Sequence, residues 1–209
     1  MRAAEMRNTS RGRAVFRSAA RIAVGLLLLL LSGSLPAREE AGPTSKPYVV
    51  YVGTPYDVIS IMLEMARTGR EDLVYDLGCG DGRMVILAAQ KYGCRGIGYE
   101  IDPEMVRASE ANVSANGVKE LVKIVQADMF TLDLSEASVI MLYLLPELNR
   151  KLVPQLDRMK PGSRVICHNY GIPGIVADQT LTYLSNEDQT THVMTLYTTP
   201  LRRAASAGK

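Results

Sequence analysis

Val74-Tyr75-Asp76-Leu77-Gly78-Cys79-Gly80-Asp81-Gly82-Arg83 runs from an apolar strand pattern through an acidic residue into three glycines at every second position. The spacing predicts a nucleotide-cofactor loop. Alternating glycines let the backbone take positive φ and approach a ligand closely, and residues 84–91 behind them suit a helix whose N-terminal N–H groups face the same ligand. Gly96-Ile97-Gly98-Tyr99-Glu100 reads as a second short strand ending on a carboxylate. It follows the loop by about 20 residues, the distance at which an acid accepts hydrogen bonds from ribose hydroxyls.

Outward from this loop, helical and strand patterns alternate. Thr54-Pro55 predicts a helix start, with Thr54 as N-cap and Val58, Met62, Met65 and Ala66 on one face up to Gly69. A strand over 73–76 precedes the loop, and Gly93 closes the helix after it. Asp102-Pro103 opens a further helix that Asn116-Gly117 ends. Residues 121–126 and 139–144 are apolar runs of strand length, as in a parallel sheet covered on both faces. Residues 146–159 are helical in pattern, with Pro154 expected to kink or split the helix. Lys160-Pro161-Gly162-Ser163 turns into a strand over 164–168, and residues 181–184 and 192–198 close the sheet as a hairpin. The expected fold is α/β, a Rossmann-like doubly wound sheet, mostly parallel with a C-terminal antiparallel hairpin. Its ligands belong at the carboxyl ends of the strands.

The chain of 209 residues suits one catalytic domain with an appendage. Its net charge of +2 hides an asymmetry. Residues 1–37 carry six arginines against Glu5, which leaves −3 for the remainder. No basic stripe with interleaved aromatics appears there, so a nucleic-acid partner is not expected. Cys79, Cys94 and Cys167 have neither paired nor metal-ligand spacing, which points to buried thiols, no disulfide framework and no metal site. The leader, with its arginines, the run Leu26 to Leu31 and small residues after it, resembles a signal peptide or short membrane anchor over 1–37; a mitochondrial presequence is the alternative. A linker follows over 38–47, the domain over 48–200 and a tail over 201–209.

The glycine spacing separates two cofactor classes. The dinucleotide fingerprint needs its third glycine where Arg83 stands, whereas Asp-x-Gly-x-Gly-x-Gly resembles motif I of class I S-adenosylmethionine (SAM) methyltransferases. With residues 48–55, Glu100-Ile101-Asp102-Pro103, Asp128-Met129-Phe130, residues 142–149 and residues 160–165, the chain resembles one group of that class. The group includes archaeal protein-lysine methyltransferases and the mitochondrial ATP synthase c-subunit and adenine nucleotide translocase lysine methyltransferases. The resemblance implies that Asp76, Gly78, Cys79, Gly80 and Gly82 lie along the methionyl part of SAM. It implies further that Glu100 holds the ribose, Ile101 packs on adenine, Asp128 receives the adenine amino group, and Met129 beside it also contacts the cofactor. It also implies a protein partner with an acceptor lysine, membrane-associated in the favoured reading, and leaves the oligomer open. The pattern departs from the family after His168, where Asn169 replaces an acidic residue.

Methyl transfer is an in-line displacement, so the protein mainly positions the reactants and strips water from the acceptor. A lysine acceptor must lose a proton, and Tyr143, Glu147 and His168 are the rim candidates, with Tyr143 and Glu147 expected to orient the amine. Cys79 is read as a small residue that fits the turn rather than a nucleophile. A small-molecule O- or N-methyltransferase is the second enzyme reading, and an exported binding module without catalysis is the third. SAM is held inside cells, so export of a SAM enzyme would part it from its cofactor.

Overall fold

A computed structural model describes residues 51–205. The expected leader and linker, the first three residues of the expected domain and residues 206–209 lie outside them. The element order is α1 (Tyr56–Met65), β1 (Leu73–Leu77), α2 (Arg83–Tyr92), β2 (Arg95–Glu100), α3 (Pro103–Ala115), β3 (Val122–Gln126), a 3₁₀ turn (Met129–Thr131), β4 (Val139–Leu142), α4 (Pro146–Leu156), β5 (Arg164–His168), β6 (Gln179–Leu184) and β7 (Thr191–Thr198). Strand order is β3-β2-β1-β4-β5-β7-β6, with β7 antiparallel to β5 and β6 and the other pairs parallel. The expected α/β architecture and closing hairpin are thus both present.

Alternation along the strands builds two cores. Val74, Val139, Met141 and Ile166 join the buried faces of α1 and α2, whereas Tyr75, Leu77, Ile140, Leu142, Val165 and Cys167 join Leu152 and Leu156 of α4. Side chains at successive strand positions point to opposite faces, so a strand covered on both sides is apolar throughout; β4, Val-Ile-Met-Leu, is buried at every position.

Three local expectations are corrected. Thr54 does not cap α1; the N-cap is Pro55, without a side-chain cap, and the N–H groups of Tyr56 and Asp57 donate to Glu187 of the β6–β7 turn, each at 2.9 Å. A carboxylate at a helix N-terminus meets both the unpaired donors and the dipole, so Thr54 is free for another partner. Pro154 does not split α4, because it falls in the last turn, where a missing N–H forfeits one hydrogen bond only. Residues 201–204, expected as tail, are held to the domain: Val176 N–H donates to Arg202 O, Ala204 N–H to Gly174 O, and Arg203 pairs with Asp157.

Candidate active site

The carboxyl ends of β1, β2 and β3 lie side by side, with Leu77 opposite Tyr99 and Glu100 opposite Gln126. Adjacent strands sit about 4.8 Å apart, so Asp76, Glu100 and Asp128 form an acidic row across the carboxyl ends of the strands. Between them the loop turns tightly. Gly78 has φ 80 and Gly80 φ 54, and the Gly78 and Cys79 N–H groups both donate to Tyr99 O, at 2.8 and 3.0 Å. A Cβ on Gly80 would run into the Tyr51 ring. Gly82, φ 79, is the N-cap residue of α2.

Glu100 is buried and ties the loop to β2. One carboxylate oxygen accepts from Gly80 N–H at 2.9 Å, the other from Ile101 N–H at 2.7 Å and Asp102 N–H at 2.9 Å. A carboxylate offers about four acceptor positions, so room remains for a hydroxyl. Ile101 is half-buried beside it. Asp128 caps the 3₁₀ turn by accepting from Phe130 N–H at 2.9 Å. Met129, expected to contact the cofactor, puts its side chain into the α4-side core.

Asp76 differs from Glu100. It is 3 % exposed, it lines a cleft of about 180 Å³, and no described residue hydrogen-bonds its carboxyl. Burial first, then the carboxylates of Glu100 and Asp81, push its pKa up to about 8. A buried acid facing a cleft, with no hydrogen-bond partner among the described residues, fits a cationic group such as the methionyl ammonium. Burial, followed by Asp76, also holds the Cys79 thiol well above its ordinary value, so it remains a neutral thiol and is no nucleophile at neutral pH.

The cleft continues from Asp76, Gly78 and Cys79 to Thr54, Leu144 and three tyrosines, Tyr51, Tyr143 and Tyr170. Tyr51 is held by Arg83, whose guanidinium stacks over it and over Tyr56. Arg83 also donates to Thr54 O at 3.1 Å and clasps Asp81 at 2.8–3.0 Å. Of the rim candidates, Tyr143 lines the cleft. Glu147 stands on the exposed first turn of α4, outside the lining. His168 is no rim residue: it is 1 % exposed, packs its ring 4.0 Å from that of Tyr143, and has both nitrogens engaged, by Thr54 and His192. Burial and then His192 push its pKa down to about 4, so it is neutral at physiological pH.

Asn169, where the family pattern has an acid, sits at φ 57, and its side chain accepts from Val193 N–H and donates to the Tyr143 hydroxyl at 3.4 Å. Asn tolerates this left-handed conformation, and its amide accepts from one neighbour and donates to the other. Sequence reasoning missed Tyr51, Tyr170, Arg83, Thr54 and His192 as site residues.

The family described as the ANTKMT methyltransferase domain matches residues 76–179, the stretch that carries Asp76, Glu100, Asp128, Tyr143 and His168. A protein-lysine N-methyltransferase of Saccharolobus islandicus (strain REY15A) is 44% identical over 130 residues, covering 61% of this chain and 81% of that protein. The chain belongs to this methyltransferase family. The methyltransferase is also similar to the ATP synthase c-subunit lysine N-methyltransferase of Homo sapiens, 33% identical over 155 residues, 71% of this chain and 66% of the human protein. A crystal structure of an RNA methyltransferase from Salinibacter ruber, in complex with S-adenosyl-L-homocysteine, superposes with a TM-score of 0.66 at 39% identity, covering 75% of this chain and 98% of that one. The enzyme is therefore a SAM-dependent methyltransferase. Among the described residues no helix is long and apolar enough to cross a membrane.

Proposed function

We propose that this methyltransferase modifies the side-chain amine of lysine in a protein. The observation that carries the reading is the continuity of the cleft: the half bearing Asp76 and Gly78 opens directly between the rings of Tyr51, Tyr143 and Tyr170. Aromatic faces attract an ammonium group at close range. The activities printed for the Saccharolobus islandicus and human relatives support the same acceptor. Bound SAM supplies an electrophilic methyl group on a sulfonium. The chain's own residues do the rest: Asp76 receives the cofactor's ammonium, Glu100 the ribose hydroxyls and Asp128 the adenine amino group. Tyr143 and Tyr170 align the acceptor and exclude water from it. Glu147, exposed and outside the lining, has no part in this arrangement.

RNA, the acceptor class named for the Salinibacter ruber protein, is the second reading. Charge speaks against it, because the chain beyond residue 37 carries −3 and the cleft holds Asp76 and Asp81 against one cation, Arg83, already clasped by Asp81. The test is to incubate the full chain with methyl-labelled SAM and a total cell extract, then separate protein, RNA and low-mass fractions and hydrolyse the protein. Label recovered as methylated lysine supports the proposal; label confined to RNA or to small molecules overturns it. We further propose that residues 1–37 act as a signal peptide or short anchor, a mitochondrial presequence being the alternative, and that a membrane-associated protein is the acceptor. The arginine-rich start and the leucine run support the leader, and N-terminal sequencing of the mature protein tests it.

A further inference from the structure

The chain has two histidines, and both lie in one hydrogen-bonded line that starts at the cleft wall. Thr54 lines the cleft, and its hydroxyl is 3.1 Å from His168 Nδ1. His168 Nε2 is 2.8 Å from His192 Nδ1. His192 Nε2 in turn lies 3.1 Å from an Asp188 carboxylate oxygen and 2.9 Å from Thr190 Oγ1. Thr54 and both imidazoles are buried, whereas Asp188 and Thr190 are exposed in the β6–β7 turn. The line therefore joins the cleft to solvent through the protein interior.

Its chemistry fixes a direction. An ionised Asp188 only accepts, so in the neutral form of His192 the proton sits on Nε2 and Nδ1 is an acceptor. His168 Nε2–H donates to that acceptor, which leaves His168 Nδ1 bare and makes the Thr54 hydroxyl its donor. Every donor points outward, and the Thr54 oxygen keeps lone pairs for a donor in the cleft. The charged and titratable groups around the line are Tyr143 against the His168 ring, Arg83 on the Thr54 carbonyl, Asp76 and Asp81 in the cleft, Tyr183 paired across the sheet from His192, and Asp57 and Glu187 where α1 meets the β6–β7 turn.

We propose that Thr54, His168, His192 and Asp188 form a relay that carries the proton of the acceptor ammonium from the cleft to solvent. The inference rests on the lysine reading, since an ammonium is the acceptor that has to lose a proton before it attacks. One ammonium N–H bond breaks and its proton goes to Thr54 Oγ1. The hydroxyl proton passes to His168 Nδ1, that of His168 Nε2 to His192 Nδ1, and that of His192 Nε2 to Asp188 and on to water. The nitrogen keeps the electron pair that forms the new N–C bond, and ring reorientation restores the first tautomers between turnovers. In this scheme the His168 and His192 rings never touch substrate; they act through Thr54.

The test uses the full chain, methyl-labelled SAM and, as acceptor, the protein labelled most strongly in a total cell extract. The kcat of wild type, Thr54→Val, His192→Phe and Thr54→Ser is followed from pH 7 to 9.5. Thr54→Val and His192→Phe are expected to lose kcat on the order of 10²-fold at pH 7, with SAM affinity held. The deficit should shrink as pH rises toward the lysine pKa of about 10.4, where the amine arrives neutral, and Thr54→Ser should restore the rate. A deficit equal at every pH, or none, overturns the relay while leaving the lysine reading intact. Wild type that labels no protein lysine removes that reading and the relay with it. Independently of turnover, ¹⁵N-histidine labelling gives two ring systems, one for each histidine. At pH 7 the relay requires His168 protonated at Nε2 and bare at Nδ1, and the opposite tautomer or an imidazolium overturns it.

Discussion

Replacing Asp76 by Asn separates stability from cofactor binding. In the free enzyme the Asp76 pKa is pushed up to about 8 by burial and by Glu100 and Asp81. An acid whose pKa is raised on folding costs nothing below about pH 4, where both folded and unfolded states hold the proton; the cost grows from there to about pH 8 and is constant above. At pH 7 it spans about 3 pH units at 1.36 kcal/mol each, on the order of 4 kcal/mol. Asp76→Asn is therefore expected to raise the melting temperature of the free enzyme at pH 8 and to leave it nearly unchanged at pH 4. Binding runs the other way. At pH 7 about nine in ten molecules hold the Asp76 proton, and an ammonium partner requires the carboxylate, so cofactor binding releases about 0.9 proton. Calorimetric titration of SAM in buffers of different ionisation enthalpy reads this number directly. The Asn variant should release almost none and bind on the order of 10- to 100-fold more weakly, the loss of one charged hydrogen bond. Affinity in the wild type should rise about tenfold from pH 6 to 7 and level off near pH 8. A wild-type release near zero, or one that the Asn variant reproduces, would refute the assignment of Asp76 to the ammonium.

Glu100→Ala removes the proposed ribose acceptor and three backbone contacts, so SAM affinity should fall at least about tenfold, with the protein still folded by circular dichroism. Gly80→Ala sets a Cβ against the Tyr51 ring at φ 54, and SAM binding followed by calorimetry should be lost before global stability is. Leu142→Ala, at the fully buried end of β4, should cost about 2–5 kcal/mol in urea unfolding without changing SAM affinity per folded molecule.

The cofactor half was legible because local chain geometry encodes it. Positive φ at Gly78 and Gly80 demands glycine, a buried β4 demands four apolar residues in a row, and the approach of Glu100 to the loop follows from β2 lying beside β1. The substrate half was not legible, because its contacts are set by sheet order. Glu187 caps α1 across 131 positions in the chain, and Thr54 meets His168 across 114. No spacing rule reaches that far. Thr54-Pro55 carried a correct local signal for a helix start, but the hairpin turn supplied the cap and left the hydroxyl for the histidine. Glu147 failed as a rim residue for a rotational reason: two positions after Leu145 in α4, it turns outward to solvent while Asn149 turns inward to hold Leu144 and Tyr170 by their carbonyls. Periodicity showed the helix and not its rotation about the cleft.

Whether one continuous cleft brings the cofactor's reactive end to an amine channel is best decided by a crystal structure with S-adenosyl-L-homocysteine. The ligand's ammonium is expected on Asp76, its ribose on Glu100, and its sulfur facing the gap between Tyr143, Tyr170 and Thr54. A sulfur turned away from those three residues, or a ligand bound clear of Asp76, would contradict that arrangement.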